Sequence, residues 1–400
     1  MAFLVRGVRL IDGVADVARD GIDVVVDGDR IVAVDRHVPE RVVTPGTDVV
    51  EGAGRTLLPG LIDAHAHYTF DPTGGSLQAI AARSDERILA DAARHAALAL
   101  RSGVTSARGA GSIRGLELWL RDSIARAEIP GPRIVAAGTA VGSRGGHGSA
   151  FGLEADGPAG LAAATREVVS LGADVVKVVA SEAAMLTTTG HAPSVMVHGA
   201  PELSEAELRA IVETAAELDR RVMCHAQDSE SVRRSAAAGV TSIEHAWLAD
   251  EASIESVAEA GIWLVPTLVV TDVNRTLPGL TPLQRERQDL IEERHRVSTE
   301  TAVRLGLPIV TGTDTGEVGV TADMVWREIV LLHEHGATAM GAIQAATSAA
   351  ARLLGIDRVT GSIDVGKLAD LVLVEGDPLA DLARLSRPVG VWQAGRAVSA

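Results

Sequence analysis

A chain of 400 residues, 46% hydrophobic and 22% charged, is too long for one small core and apolar enough to build a large one, which excludes disorder. Its 53 acidic against 37 basic residues give a net charge of −16, which repels phosphate backbones and makes nucleic acid a poor partner. No run of about 18 uncharged apolar residues occurs, so no membrane span is expected; the single cysteine, Cys224, excludes an intrachain disulfide and fits a reducing cytoplasm.

The opening segment, Met1-Ala2-Phe3-Leu4-Val5-Arg6, reads as the first strand of a folded domain and not as a secretory leader. Asp27-Gly28, set between IDVVV and RIVAV, predicts a hairpin. From residue 58 the pattern changes to short apolar runs alternating with helical ones. The runs are LLPGLIDAH, GVTSARGA, RIVAAGTAV, ADVVKVVAS, RVMCHAQ, SIEHAW, IWLVPTLVV and LPIVTGTD, eight candidate strands in all. Among the helical segments, Ser204 to Leu218 opens on a Ser-x-x-Glu capping box. Eight β-then-α units predict an α/β protein built as a (β/α)8 TIM barrel, with a doubly wound open sheet as the competing arrangement. Asp370 to Val374 and Gly390-Val391-Trp392 are β-like again. Neither end buries a core alone, so both are expected to meet in a small β-sandwich. The expected domains are therefore 1–57 and 361–400 as the two parts of the sandwich, and 58–360 as the barrel.

Reactive groups of such a barrel sit at the C-terminal ends of its strands. The first strand ends in His65-Ala66-His67, and residues two apart on a strand face one side, so the pair can grip one ion. Two satisfied surface histidines would look the same. Lys177 interrupts Val175-Val176-Lys177-Val178-Val179, and the 37 basic residues include only one other lysine, Lys367. A buried amine there is costly. It is explained either by an ion pair with a carboxylate or by a lowered pKa that lets the amine take up CO2. The carbamate so formed offers two oxygens that can bridge two metal ions, which arginine cannot do. His225 and His245 end the fifth and sixth strands, and Asp314 closes the eighth. Each alone has an ordinary explanation, as a core histidine or a turn aspartate. Together, five strands ending in ligand-type residues favour a dinuclear metal centre.

These residues lie in PGLIDAHAH, GGHG, VVKVVAS, MCHAQ, SIEHAW, GTDTG and the closing GSIDVGKLADLVLV, in that order. The set resembles the amidohydrolase superfamily, in particular its prolidase-like and imidazolonepropionase-like branch with Xaa-Pro dipeptidases, arginine carboxypeptidases and ochratoxinase. By that resemblance His65 and His67 bind the more buried ion with Asp314, His225 and His245 bind the other, and N6-carboxylated Lys177 bridges two divalent ions, zinc by expectation. The resemblance further implies attack of a metal-bridging hydroxide on an amide carbonyl, with Asp314 as the proton shuttle. His147, in Gly145-Gly146-His147-Gly148, occupies the place where similar enzymes hold the carbonyl oxygen. It also implies a small-molecule substrate and a homo-oligomer.

The substrate is less legible. Similar prolidases carry a tyrosine two residues after the strand-five histidine, where this chain has Gln227. The chain has only nine aromatics, so Tyr68 beside His67 and Trp247 beside His245 are candidate pocket walls. Met185, His191, His198 and Glu317 fall in loops expected to set specificity. Cys224 should face away from His225, into the core. The leading function is hydrolysis of a peptide-like or N-acyl amino acid amide. A cyclic amide or carbamate hydrolase uses the same centre. A mononuclear deaminase of the same fold would need no Lys177 and a glutamate where Asp228 stands, and a silent binding barrel would have no reason to keep all the ligands.

Overall fold

The computed structural model describes residues 2–38, 46–183 and 200–399. Met185, His191 and His198 lie outside the described residues. The chain opens on β1 (Ala2–Leu10), β2 (Arg19–Asp27), β3 (Arg30–Arg36), β4 (Asp48–Glu51) and β5 (Arg55–Pro59). The hairpin expected at Asp27-Gly28 is present: Asp27 pairs with Arg30, and Gly28 turns the chain at φ 60°.

Parallel strands follow. β6 (Leu61–Ala66), β7 (Val104–Gly109) and β8 (Arg133–Ala136) form one sheet. β9 (Ala140–Gly142), β10 (Gly152–Glu154), β11 (Val175–Val179), β12 (Arg221–Asp228), β13 (Ser242–Leu248) and β14 (Trp263–Val265) form a second, ordered β10-β9-β11-β12-β13-β14. Three of the expected strands differ in detail. LLPGLIDAH divides at Gly60, its first half belonging to β5, because Gly60 lies against Thr105 with no room for a Cβ. RIVAAGTAV breaks between β8, which pairs with β7, and β9, which pairs with β11. LPIVTGTD makes no ladder, only an isolated bridge from Ile309 to Leu264. Its backbone nonetheless bonds to both neighbours: Val310 N donates to Leu264 O at 3.0 Å, and Ala64 N donates to Thr311 O at 2.9 Å.

The sequence pattern explains which faces are covered. On β11 and β12, Val176, Val178, Val222 and Cys224 join Leu208 and Ile211 of the helix Glu205–Glu217 in one apolar cluster. Burial of each such side chain stabilises by about 1.5–3 kcal/mol. Ser204 caps that helix in the expected capping box. Lys177, one residue out of step with the valines, points to the other face. Cys224 sits on the helix-facing side, 3.2 Å from Ser235 Oγ, and burial pushes its thiol up to about 12.

The chain closes with β15 (Leu371–Glu375), β16 (Gly390–Gln393) and β17 (Arg396–Ala397). These strands return to the first ones: β15 pairs antiparallel with β5, and the path runs β17-β16-β15-β5-β1-β2-β3 with β4 beside β1. Both termini therefore meet, as expected, but in one hydrogen-bonded sheet of eight strands. Its core brings Phe3, Val24, Leu57, Leu371 and Trp392 together, with the Phe3 and Trp392 rings stacked at 5.4 Å. Among the described residues no helix is long and apolar enough to cross a membrane.

Candidate active site

The parallel register sets the ligand-type side chains side by side. Val179 pairs with His225 and Ala226 with His245, while Asp314 N donates to His65 O at 2.8 Å. Ligand atoms of His65, His245 and Asp314 all lie within 4.8 Å of one another. His65 Nε2 and His67 Nε2 each stand 3.4 Å from Asp314 Oδ1, and Lys177 Nζ is 3.4 Å from His65 Nε2. The His225 ring lies 4.6 Å from that of His245 and 5.1 Å from that of His147.

Most of these rings are oriented from behind. His65 Nδ1 is 2.7 Å from Glu244 Oε2, His67 Nδ1 is 2.7 Å from Gly111 O, and His245 Nδ1 is 2.8 Å from Thr267 Oγ1. Partners on Nδ1 leave Nε2 to face the centre, the arrangement that holds a metal-ligating imidazole in place. His225 Nε2 is buried and has no hydrogen-bond partner among the described residues. An orphaned buried nitrogen of this kind calls for a bound group.

Electrostatics prepare the same set. Burial lowers His65, His225 and His245 well below the usual histidine range, takes His67 to about 3 and His147 to about 4. The rings are thus neutral near pH 7, the form that binds a cation. Burial also lowers Lys177 and raises Asp314 well above the carboxylate range, the latter helped by nearby Glu317. Glu317 itself is pushed up to about 7 by burial. His245 and Asp314 hold left-handed backbone, φ 77° and 58°, as does Thr267 at 55°. Side chains pay for that conformation, and it clusters at functional sites.

A cavity of about 240 Å³ opens over this centre. His65, His67, Lys177, His225, His245 and Asp314 line it, as do His147, Gln227 and Trp247. Tyr68 does not: the turn that follows β6 places it in the apolar core with Ala92 and Ala96, where burial raises its phenol well above 10. His147 begins a short turn, His147–Ala150, whose N–H donates to Glu202 Oε1 at 2.7 Å.

Sequence reasoning missed the groups behind the centre. Arg108 donates to both oxygens of Glu244, at 2.9 and 3.0 Å, and to Ala64 O at 2.7 Å. Asp63 accepts from Thr313 Oγ1 at 2.6 Å and from Thr313 N at 2.9 Å, and burial takes it to about 6. The argument that singles out Lys177, a charge inside an apolar strand, applies equally to Arg108 in GVTSARGA and to Glu244 beside His245.

Known proteins resemble this chain in sequence and fold. The ochratoxinase of Aspergillus niger is 30% identical over 378 residues, covering 85% of this chain and 75% of that protein. An imidazolonepropionase of Symbiobacterium thermophilum is 27% identical over 412 residues, 92% of this chain and 85% of its own. A solved Xaa-Pro dipeptidase with methionine bound in its active site superposes with a TM-score of 0.86 at 28% identity, covering 99% of both chains. The amidohydrolase family model matches residues 56–398, which span the parallel strands, the centre and the closing strands. The chain belongs to the amidohydrolase family and is a hydrolase acting on C–N bonds.

Proposed function

We propose that this chain is a dinuclear metal-dependent amidohydrolase that cleaves a peptide-like or N-acyl amino acid amide. The observation that carries the reading is the convergence of buried, neutral histidines on Asp314 and Lys177, with His225 Nε2 lacking a protein partner among the described residues. The donor set fits two divalent ions: nitrogen and carboxylate ligands of this kind suit zinc. His65, His67 and Asp314 would hold one ion and His225 and His245 the other, with carboxylated Lys177 between them. Bound there, such ions supply a polarised carbonyl and a water acidic enough to attack near neutral pH.

The chain's own groups do the rest. Asp314 takes the proton of the attacking water and returns it to the leaving nitrogen. His147 donates to the carbonyl oxygen as charge develops on it. Gln227 and Trp247 contact the substrate from the cavity wall. Asp228 is spent on capping the helix Ser229–Ala238, accepting from Glu230 N at 2.9 Å and Ser231 N at 3.0 Å, which favours amide hydrolysis over deamination. The names of the relatives, a Xaa-Pro dipeptidase and an ochratoxinase, support the same substrate class.

The fold completes the reading. Residues 58–360 form the catalytic unit, a barrel whose closure the backbone bonds of Pro308–Asp314 to β14 and β6 support. Residues 1–57 and 361–400 fold as a sandwich around Phe3, Leu371 and Trp392, with β5 extending the first part to Pro59.

Elemental analysis of freshly purified protein, with a screen of dipeptides and N-acyl amino acids, tests the proposal. About two ions per chain and cleavage of at least one class are expected. About one ion sinks the dinuclear centre, and two ions without any amide cleaved sink the substrate class.

A further inference from the structure

The cavity that holds the centre has a second, asymmetric feature on its wall. Glu317 is presented to it by a tight turn three residues after Asp314. Glu317 N donates to Asp314 O at 3.2 Å, Val320 N to Glu317 O at 2.9 Å, and Gly316 N to Val320 O at 3.0 Å. Gly319 N ties the turn to Pro72 O at 2.8 Å. Gly316 has φ 105°, and a Cβ there would come within 2.5 Å of His67 O, so the turn is pressed against the histidine strand. Its position is therefore fixed by backbone, not by contacts of the glutamate side chain.

That side chain is the unusual part. Among the described residues nothing forms an ion pair or hydrogen bond with the Glu317 carboxylate. Asp71, the other acid on the wall outside the centre, is compensated: Arg83 stands 2.8 Å from its Oδ2 and Thr73 Oγ1 donates to its Oδ1 at 2.6 Å. The same cavity wall carries Phe70, Phe151, Leu77, Val270 and Leu277, apolar surface on which the rest of a substrate can lie. No arginine among the described residues lines the cavity, and the stretch 184–199 contains neither arginine nor lysine. A substrate ammonium can therefore bond a carboxylate that no protein group among the described residues occupies, whereas a substrate carboxylate finds no arginine on this wall among them.

We propose that Glu317 selects substrates that carry a positively charged amine beside the scissile amide. The inference rests on the reading of this cavity as an amide-hydrolysing site, and it narrows that reading from peptide-like amides in general to aminoacyl amides. Glu317 accepts a charge-assisted hydrogen bond from the substrate ammonium, and the apolar wall takes the rest of the acyl group. A site built this way rejects the neutral twin, because the carboxylate is left without a partner on closure.

Calorimetry on the metal-loaded enzyme with hexylammonium and 1-hexanol tests recognition without requiring turnover. The ammonium is expected to bind at least about tenfold more tightly, and the gap is expected to close in Glu317→Gln. Equal affinities, or a gap that persists in Glu317→Gln, overturn the inference. So does a fall in metal per chain in that variant, which would make Glu317 a ligand. Leucine 4-nitroanilide and its deamino twin, 4-methylpentanoic acid 4-nitroanilide, are assayed in parallel. Cleavage with a preference for the amine of about tenfold, lost in Glu317→Gln, supports the inference; cleavage of both without preference overturns it and leaves the amidohydrolase standing. Cleavage of neither overturns the selection of aminoacyl amides, and an ammonium preference that is lost in Glu317→Gln would then mark the wall as a cation-binding surface alone.

Discussion

His245 Nδ1 stands 2.8 Å from Thr267 Oγ1, and the two residues share a left-handed backbone conformation, at φ 77° and 55°. His245 lies within β13 and Thr267 two residues past β14, and the contact between them joins these neighbouring strands beside the centre. Thr267 stands at the N-cap position of the helix Leu268–Thr276 without a side-chain capping bond, and the first two N–H groups of that helix donate instead to the buried Glu328, at 2.9 and 2.8 Å. The orientation of His245 is thus set by a chain of contacts that ends two elements away.

Thr267→Val keeps the shape of that side chain and removes the oxygen. We expect metal retention, measured by chelator competition, to weaken by about 10–100-fold while the thermal midpoint changes little. Unchanged retention would show that the ring is held by packing alone.

Lys177→Met keeps length and apolar volume but loses the amine. Its effect on the metal-free protein is expected to be neutral or stabilising, by up to about 1–4 kcal/mol, because a buried cation is replaced by a side chain that needs no partner. The same variant should lose bound metal and most activity. A loss of stability with full metal content would instead mark Lys177 as an ion-pair partner of Glu244 or Asp314.

Glu244→Gln tests the support behind His65. It leaves the Arg108 guanidinium buried against a neutral amide, in a place where the carboxylate now bonds it twice. Breaking a buried pair in this way costs about 3–5 kcal/mol, readable in urea unfolding of the metal-free protein. A cost below about 1 kcal/mol would mean that water replaces the lost charge.

Stability of the metal-free protein should depend on pH in two opposite senses. His67 and His295, at about 3, and His65, His225 and His245, all well below 6.5, take up protons more readily when unfolded. Their contribution is complete above pH 6.5 and is lost as the pH falls towards 3, at up to about 1.4 kcal/mol per unit for each ring. Glu117 and Glu328, both pushed from 4.5 up to about 8 by burial, act in reverse. Theirs is present below 4.5 and lost as the pH rises through 8. Asp63, at about 6, and Glu317, at about 7, add to the second group. Urea midpoints should therefore be nearly level between about pH 4.5 and 6.5, where the two sets oppose, and fall on both sides. A midpoint still rising at pH 8.5 would contradict the buried, protonated glutamates.

What the sequence made legible was what local rules control. Alternation of short apolar runs with amphipathic ones announced the parallel strands, and Lys177 stood out because a charge in VVKVV has no cheap place to go. Ser204 and Glu207 wrote their own capping box. Less visible was anything set by a partner distant in the chain. Whether Tyr68 or Trp247 reaches the cavity depends on the path of the chain at each, a turn at one and a strand at the other, and only Trp247 does. Arg108 and Glu244 each stand out as a charge inside an apolar run, but they lie far apart in the chain and only the fold shows that they answer one another. LPIVTGTD carries strand-like residues and bonds to β14 and β6 through its backbone, yet it makes only one isolated bridge and no ladder, which its composition does not announce.

The pairing of Pro59 with Leu371 has a consequence for synthesis of the protein. Roughly 310 residues separate the two strands, so β5 leaves the ribosome long before its neighbour exists. At about 5–20 residues per second the wait is roughly fifteen seconds to a minute. Throughout it Leu57 and Leu58 sit on an open edge beside unpaired amides, the geometry that invites a second nascent chain to bind. A chaperone that shields this edge during translation would raise the yield of soluble enzyme, and slowing translation without one would lower it.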